Sequence, residues 1–153
     1  INPKINFEDI QLEIKSIKAN ISLKALLNSK FLIDEIQITT KEIKINDIIS
    51  LVRSFKNSTE LFLLNEFIKS GFLTTDIKLN FDNTGRIKDD YQINGFIKKG
   101  ELKFLNQFNF KNLNFDFNIN KNQYSLTKIK TDFNDIKISS QLIQLYESRN
   151  LFQ

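Results

Sequence analysis

The sequence predicts a mainly β fold with one helical insert: an antiparallel sheet with one apolar and one polar face. Three observations predict it. Apolar residues recur at every second position through most of the chain, which sets alternate side chains on one side of a half-buried strand. Asn/Asp/Gly clusters separate consecutive alternating runs at roughly hairpin spacing, which describes a meander. One region alone, from Asp47 onward, switches to i, i+3, i+4, i+7 spacing. Sheets wetted on one face are characteristically antiparallel.

In chain order, Ile10, Leu12 and Ile14 alternate with Gln11 and Glu13. Leu23, Leu26 and Leu27 fit a short helical turn over 23–28 better than a strand. Ile36 and Ile38, then Ile43 and Ile45, resume the alternation around Thr39-Thr40-Lys41. Ile48, Leu51, Val52 and Phe55 form a helical stripe that Asn46 or Asp47 can cap. Leu61, Leu64 and Ile68, with Phe67 beside them, form a second stripe, with Ser58 or Thr59 as cap and Gly71 just past its end. The region 47–70 is therefore one kinked helix or two short ones.

Beyond it, Ile77, Leu79 and Phe81 lead into Asp82-Asn83-Thr84-Gly85, a hairpin loop with glycine at a positive-φ position. Tyr91 and Ile93, Leu102 and Phe104, and Phe108 and Phe110 follow. Leu113, Phe115, Phe117 and Ile119 make the cleanest run. Asn120-Lys121-Asn122 separates it from Tyr124 and Leu126. Parity shifts at Asn134-Asp135, a turn or a bulge, before Ile136 and Ile138. Gly95 and Gly100 suggest bends or bulges. One Pro, at position 3, and no Ser/Gly-rich linker make 1–153 a single domain.

Composition excludes several chemistries. The 153 residues contain no Cys, His, Met or Trp. That removes disulfides, Cys/His zinc, haem and iron–sulfur sites, and His-based acid, base and triad machinery. The net charge of +4 comes from 22 Lys+Arg against 18 Asp+Glu. Lys alternates with Ile and Asp along the strands and does not cluster with aromatics, which argues against a nucleic-acid partner. The longest apolar cluster, Leu61-Phe62-Leu63-Leu64, falls far short of the ~20 residues of a membrane span. The chain starts at Ile1 with structured sequence, as a segment of a longer protein would.

No constellation supports catalysis. Asp89-Asp90 are adjacent and would point to opposite faces of a strand. Asp34-Glu35 and Asp132 with Asp135 fare no better. Asp82-Asn83-Thr84-Gly85 lacks the later acidic ligand of a calcium loop. Gly95 to Gly100 has the gap of a phosphate loop, but Glu101-Leu102 stand where Lys-Ser/Thr is required. Asn57-Ser58-Thr59 matches a glycosylation triplet that Asn-rich chains produce by chance. The expectation is a non-enzymatic protein without metal or cofactor.

The apolar faces carry the signal. They can close into a sandwich or barrel core, giving a structural or protein-interaction domain. They can also remain partly uncovered on a curved sheet, and an apolar face of more than a few hundred Å² normally marks a binding or membrane surface. Parity puts Ile77, Leu79, Phe81, Tyr91, Ile93, Leu113, Phe115, Phe117, Ile119, Tyr124 and Leu126 on the inward, lipid-binding side of such a groove.

The run from Ile21 to Ile38, with Ser22-Leu23-Lys24-Ala25-Leu26-Leu27 leading to Ile33-Asp34-Glu35-Ile36-Gln37-Ile38, resembles the AsmA-like family, which includes the TamB and YhdP relatives. So do Ile43 to Leu51, Tyr91 to Lys103 and Phe108 to Phe117. The likeness is one of hydropathy and spacing over about residues 5–145. It implies a β-groove module of a protein anchored at the inner membrane and projecting into the periplasm. The anchor would be a segment not present here. The ligand would be phospholipid acyl chains in transport toward the outer membrane, with envelope proteins as further partners. The helical insert would cap one end of the groove or cover part of it, and the resemblance brings no catalytic residues.

Overall fold

The computed structural model describes residues 3–7, 10–27, 32–55, 59–105, 107–121 and 123–146. The strands are β1 (Lys4–Phe7), β2 (Ile10–Ile21), β3 (Ile33–Thr40), β4 (Ile43–Lys44), β5 (Ile68–Asn80), β6 (Gln92–Phe104), β7 (Phe108–Asn120), β8 (Gln123–Phe133) and β9 (Ile136–Tyr146). The helices are α1 (Leu23–Leu27), α2 (Ile45–Phe55) and α3 (Thr59–Phe67). All strand pairs are antiparallel in one open, curved sheet of order β1-β2-β3-β5-β6-β7-β8-β9. β4 takes the edge of β5 at Leu73 and Phe72, where β3 leaves it after Asp76.

The hairpin turns follow their sequences. Asp82 accepts hydrogen bonds from the Thr84 N–H (2.7 Å), the Thr84 hydroxyl (2.6 Å) and the Arg86 N–H (3.0 Å), and Gly85 sits at φ 81°. Asn134 and Asp135, at φ 46° and 68°, form a two-residue turn between β8 and β9, the geometry that matches strand twist. The Asn134 side chain braces this turn against the β6–β7 turn, donating to the Gln107 carbonyl (3.1 Å) and accepting from the Asn109 N–H (3.0 Å). In α1, Ser22 Oγ accepts from the Ala25 N–H at 3.4 Å, as an N-cap does.

Four details differ from the sequence expectation. Ile45 opens α2 and is not a strand residue, and Ile68 opens β5 and is not helical. Gly71 lies within β5 at φ 142° and caps no helix. Gly95 marks no bend. It pairs in register with Thr75 and Phe117, and the Phe117 ring lies over it, so close that a Cβ there would sit 2.7 Å from Phe117 Cζ. The insert is two helices, 45–55 and 59–67; the cap candidate Ser58 and the residues Asn57 and Asn28 lie outside the described residues.

The sheet bends along one line. Gly71 in β5, Lys99 in β6, Asn112 in β7 and Lys128 in β8 all have positive φ, at 142°, 49°, 51° and 53°. The registers β5–β6, β6–β7 and β7–β8 shift beside them. Each is a β-bulge, which adds a residue to its strand and bends it. Side chains recover the disturbed ladder: Asn114 Oδ1 accepts from the Lys99 N–H (3.1 Å), and the Thr131 hydroxyl donates to the Lys111 carbonyl (3.0 Å).

Few side chains are sealed from water. Among the described residues the buried apolar ones are Leu12, Ile14, Ala25, Ile43, Ile49 and Ile129, and no phenylalanine joins them. The accessible surface is 11349 Å², where a compact protein of 18.0 kDa would present roughly 8,000 Å². Among the described residues the sheet has a covered region where α2 and α3 meet β5, and no closed core.

Candidate functional site: an apolar groove at the bend

Residues directly opposite in an antiparallel ladder share a face, so the registers sort every strand residue to a side. Ile17, Ile38, Ile77, Ile93, Ile119, Tyr124 and Leu145 form one apolar row across seven strands. Ala19, Ile36 and Leu79 flank it, as do Phe117, Leu126 and Ile143. The reverse face carries Asp76, Asn94, Asn118, Ser125 and Gln144 in one row. The polar and apolar faces read from parity are thus the two faces of the sheet.

Where the strands bulge, the face is kept by a three-residue step. In β6 it runs Ile97, Gly100, Leu102; in β7 Phe110, Leu113, Phe115; in β8 Leu126, Ile129, Thr131; in β9 Ile138, Ser140, Ile143. These residues floor a cavity of about 480 Å³, open on one side, with Ile68 and Ser70 of β5 beside them. Ile45 at the start of α2 and Leu64 of α3 close it from above. Glu101, Ser70, Thr131 and Ser140 bring the polar side chains of the lining, and the remainder is aliphatic or aromatic.

Amphipathicity places the cover. In α2, Ile49 is buried and Ile48 and Leu51 half-buried, while Val52 faces out. Phe62, Leu63 and Leu64 of α3 are each more than two-fifths exposed, so α3 has apolar surface both over the groove and toward solvent. Phe67 of α3 meets the Phe104 ring edge-on at 4.7 Å, and the aromatic chain continues through Phe108 (6.2 Å) and Phe133 (6.1 Å) to Phe110 (4.7 Å). That chain walls the bent end of the groove.

Of the residues assigned inward from the sequence, Leu113, Phe115 and Leu126 line the cavity. Ile77, Leu79, Ile93, Phe117, Ile119 and Tyr124 lie on the same face beyond it, toward the other end of the strands. Phe81 and Tyr91 stand in the β5–β6 connection, Phe81 bridging Ile87. Sequence reasoning missed Ile97, Leu102, Phe110, Ile129, Ile138 and Ile143. The odd steps from Phe110 to Leu113 and from Leu126 to Ile129 were the signal that could have found them.

Apart from Glu101, the charged side chains lie outside the cavity lining. Lys41 donates to Glu13 at 2.8 Å and holds its carboxyl below the ordinary range. Lys78 does the same for Glu35, also at 2.8 Å. Asp116 raises Lys128 by a 2.7 Å hydrogen bond. Among the described residues no three acidic side chains gather where a metal ion could be held, and no helix is long and apolar enough to cross a membrane. The arrangement can desolvate an apolar chain laid along the bend.

No family model matches the chain, and no curated protein or solved structure shows a significant similarity to it.

Proposed function

We propose that this chain is a non-enzymatic lipid-handling module whose bent apolar groove shields an acyl chain from water. The observation that supports the reading is the coordinated bulging. It keeps Ile97, Phe115, Leu126, Ile129 and Ile143 on one face through a bend that opens a cavity of about 480 Å³ beneath α2 and α3. A methylene takes about the ~30 Å³ share of a liquid water molecule, so the cavity matches roughly sixteen methylenes, one acyl chain. At ~0.8 kcal/mol each, complete burial would contribute about 13 kcal/mol. The open side leaves part of that unrealised, and association itself costs ~4–15 kcal/mol. The balance suits reversible carriage.

The resemblance to AsmA-like proteins supplies the setting of the proposal. The ligand is then a phospholipid tail, and the module belongs to a periplasmic protein held at the inner membrane by a segment outside residues 1–153. The test is displacement of a fluorescent fatty acid by phospholipid, read on the wild type and on Ile143→Asp. Ile143 lines the groove yet is 43% exposed, so a carboxylate there leaves the fold standing while charging the floor. Saturable binding weakened tenfold or more by this variant is the expected result. Absence of probe binding, or binding indifferent to the charge, overturns the reading.

A further inference from the structure

The two edges of the sheet are unlike. β1 has four residues, whereas β9 has eleven, without Pro or Gly and with Lys137 as its one charge. Shortness, proline, clustered lysine and bulges are the usual devices that keep an edge from pairing, and of these β9 carries only the step after Ser140. Ile136, Leu142, Leu145 and Tyr146 are 66%, 51%, 60% and 65% exposed. Among the described residues no strand pairs with its outer side.

We infer that β9 pairs with the β9 of a second copy, antiparallel about a twofold axis between Ser140 and Gln141. The register carries the argument. Groove-side positions in β9 are Ile136, Ile138, Ser140, Ile143 and Leu145, because the strand takes its three-residue step after Ser140. The twofold pairing sets Ile136 against the partner's Leu145 and Ile138 against the partner's Ile143. It sets Lys137 against the partner's Gln144 and Ser139 against the partner's Leu142. Groove side meets groove side on both flanks of the central Ser140–Gln141 step, and no like charges oppose. A strand without the step could not do this in the same register, since a one-residue shift turns every side chain to the other face.

Hydrogen bonding agrees. In a two-residue hairpin the flanking pair, here Phe133 and Ile136, bond each other. Lys137 and Ser139 then direct their N–H and C=O groups to the free edge, as do Leu142 and Gln144 beyond the step. These are the residues that the twofold register brings together. Ten residues at ~3.4 Å span ~34 Å, and a sheet layer is ~10 Å thick. The contact is thus roughly 700 Å² in total, the size of a weak and reversible complex. The two apolar faces would run on across the seam. The inference stands apart from the lipid reading and uses none of its ligand.

The test is sedimentation velocity on the full chain over micromolar to submillimolar concentration, where a reversible monomer–dimer equilibrium is expected. Ser139→Pro removes an edge donor without touching a β8–β9 bond, and Leu142→Lys sets a charge into the seam from an exposed position. Each should weaken association at least tenfold with the circular-dichroism spectrum unchanged, and Leu142→Lys decides if the proline perturbs the fold. The chain has no cysteine, so a spin label on Gln144→Cys reads the register: the two labels sit seven positions apart, ~24 Å at ~3.4 Å per residue. A monomer throughout the range, a dimer that both variants leave intact, or a label separation far from this value overturns the inference.

Discussion

Gly71→Ala should be among the most damaging single-methyl additions in this protein, and its cost can be divided. A Cβ at Gly71 would lie 2.8 Å from Ile45 Cδ1 and 3.0 Å from the Gly100 Cα. The first contact is the end of a flexible side chain, and the second is backbone in the neighbouring bulge, which has no room to retreat. The backbone at Gly71 is also at φ 142°, a region closed to L side chains, at a cost of ~1–3 kcal/mol. Overpacking adds ~1–3 kcal/mol. A total near 3 kcal/mol is expected, a large share of the 5–15 kcal/mol typical of a domain. Urea unfolding followed by far-UV circular dichroism measures it as a shift in midpoint at constant slope. Repeating the substitution in an Ile45→Ala background removes the side-chain contact and leaves the backbone strain. The second cost should therefore be smaller by about 1 kcal/mol, a coupling of the size contacting residues show. A loss under about 0.5 kcal/mol in the wild type, or strict additivity with Ile45→Ala, would refute the claim that the bulge line and α2 are packed against each other.

Other substitutions and conditions give equally direct tests. Asp135→Gly should stabilise by about 1 kcal/mol in the same urea assay, because φ 68° strains an L residue and the ion pair it forfeits, Lys111–Asp135 at 3.6 Å, is exposed and contributes little. Gly85→Ala should destabilise by about 1 kcal/mol through φ 81° alone, since nothing lies within 4 Å of the added Cβ. Glu13, Glu35 and Asp82 all have lowered pKa values, chiefly through hydrogen bonds from Lys41, Lys78 and the Thr84 hydroxyl. A depressed folded-state carboxylate stabilises above its unfolded pKa, so this stabilisation is complete above about pH 4.5 and is lost as the pH falls through the folded values. The urea midpoint should decline over that range, and a Glu13→Gln/Glu35→Gln/Asp82→Asn variant should decline less steeply.

The sheet was legible because its signals are local. Alternation at Leu113 to Ile119 and the Asp82–Gly85 loop each act within a few residues, and the i, i+3, i+4 stripe of α2 needs no knowledge of its partners. What was not legible depends on neighbours. Gly71 after an apolar run reads as a helix stop, and only the approach of Gly100 and Ile45 shows it to be a strand residue at a crowded bend. Gly95 reads as a bend, but the Phe117 ring takes the place of its missing side chain from the adjacent strand. Lys99, Asn112 and Lys128 carry no mark of positive φ beyond the odd spacing around them. The parity set therefore reaches the cavity at Leu113, Phe115 and Leu126 and leaves out Ile97, Leu102, Phe110, Ile129, Ile138 and Ile143 around the odd steps.

A lone bulge re-aims a strand and turns the following side chains to the other face unless the extra residue is absorbed. Had β7 alone bulged at Asn112, Phe110 would have lost Leu102 and Phe133 as neighbours on the apolar side. Instead β5, β6, β7 and β8 bulge at adjacent positions and β9 follows with its step after Ser140, so Leu102, Phe110, Phe133 and Ile136 still share a face. Several local ladders are disturbed to keep one continuous apolar floor through a change of direction. A closed core fills the far side of such a floor with another layer of side chains. Here the far side holds two short helices and an opening, and α3 presents Phe62, Leu63 and Leu64 to solvent at its rim. On the proposed reading, a flexible hydrocarbon chain lies on this floor where it stays apolar around a corner, and the bend, more than the length of the sheet, is then where substitutions should separate binding from folding.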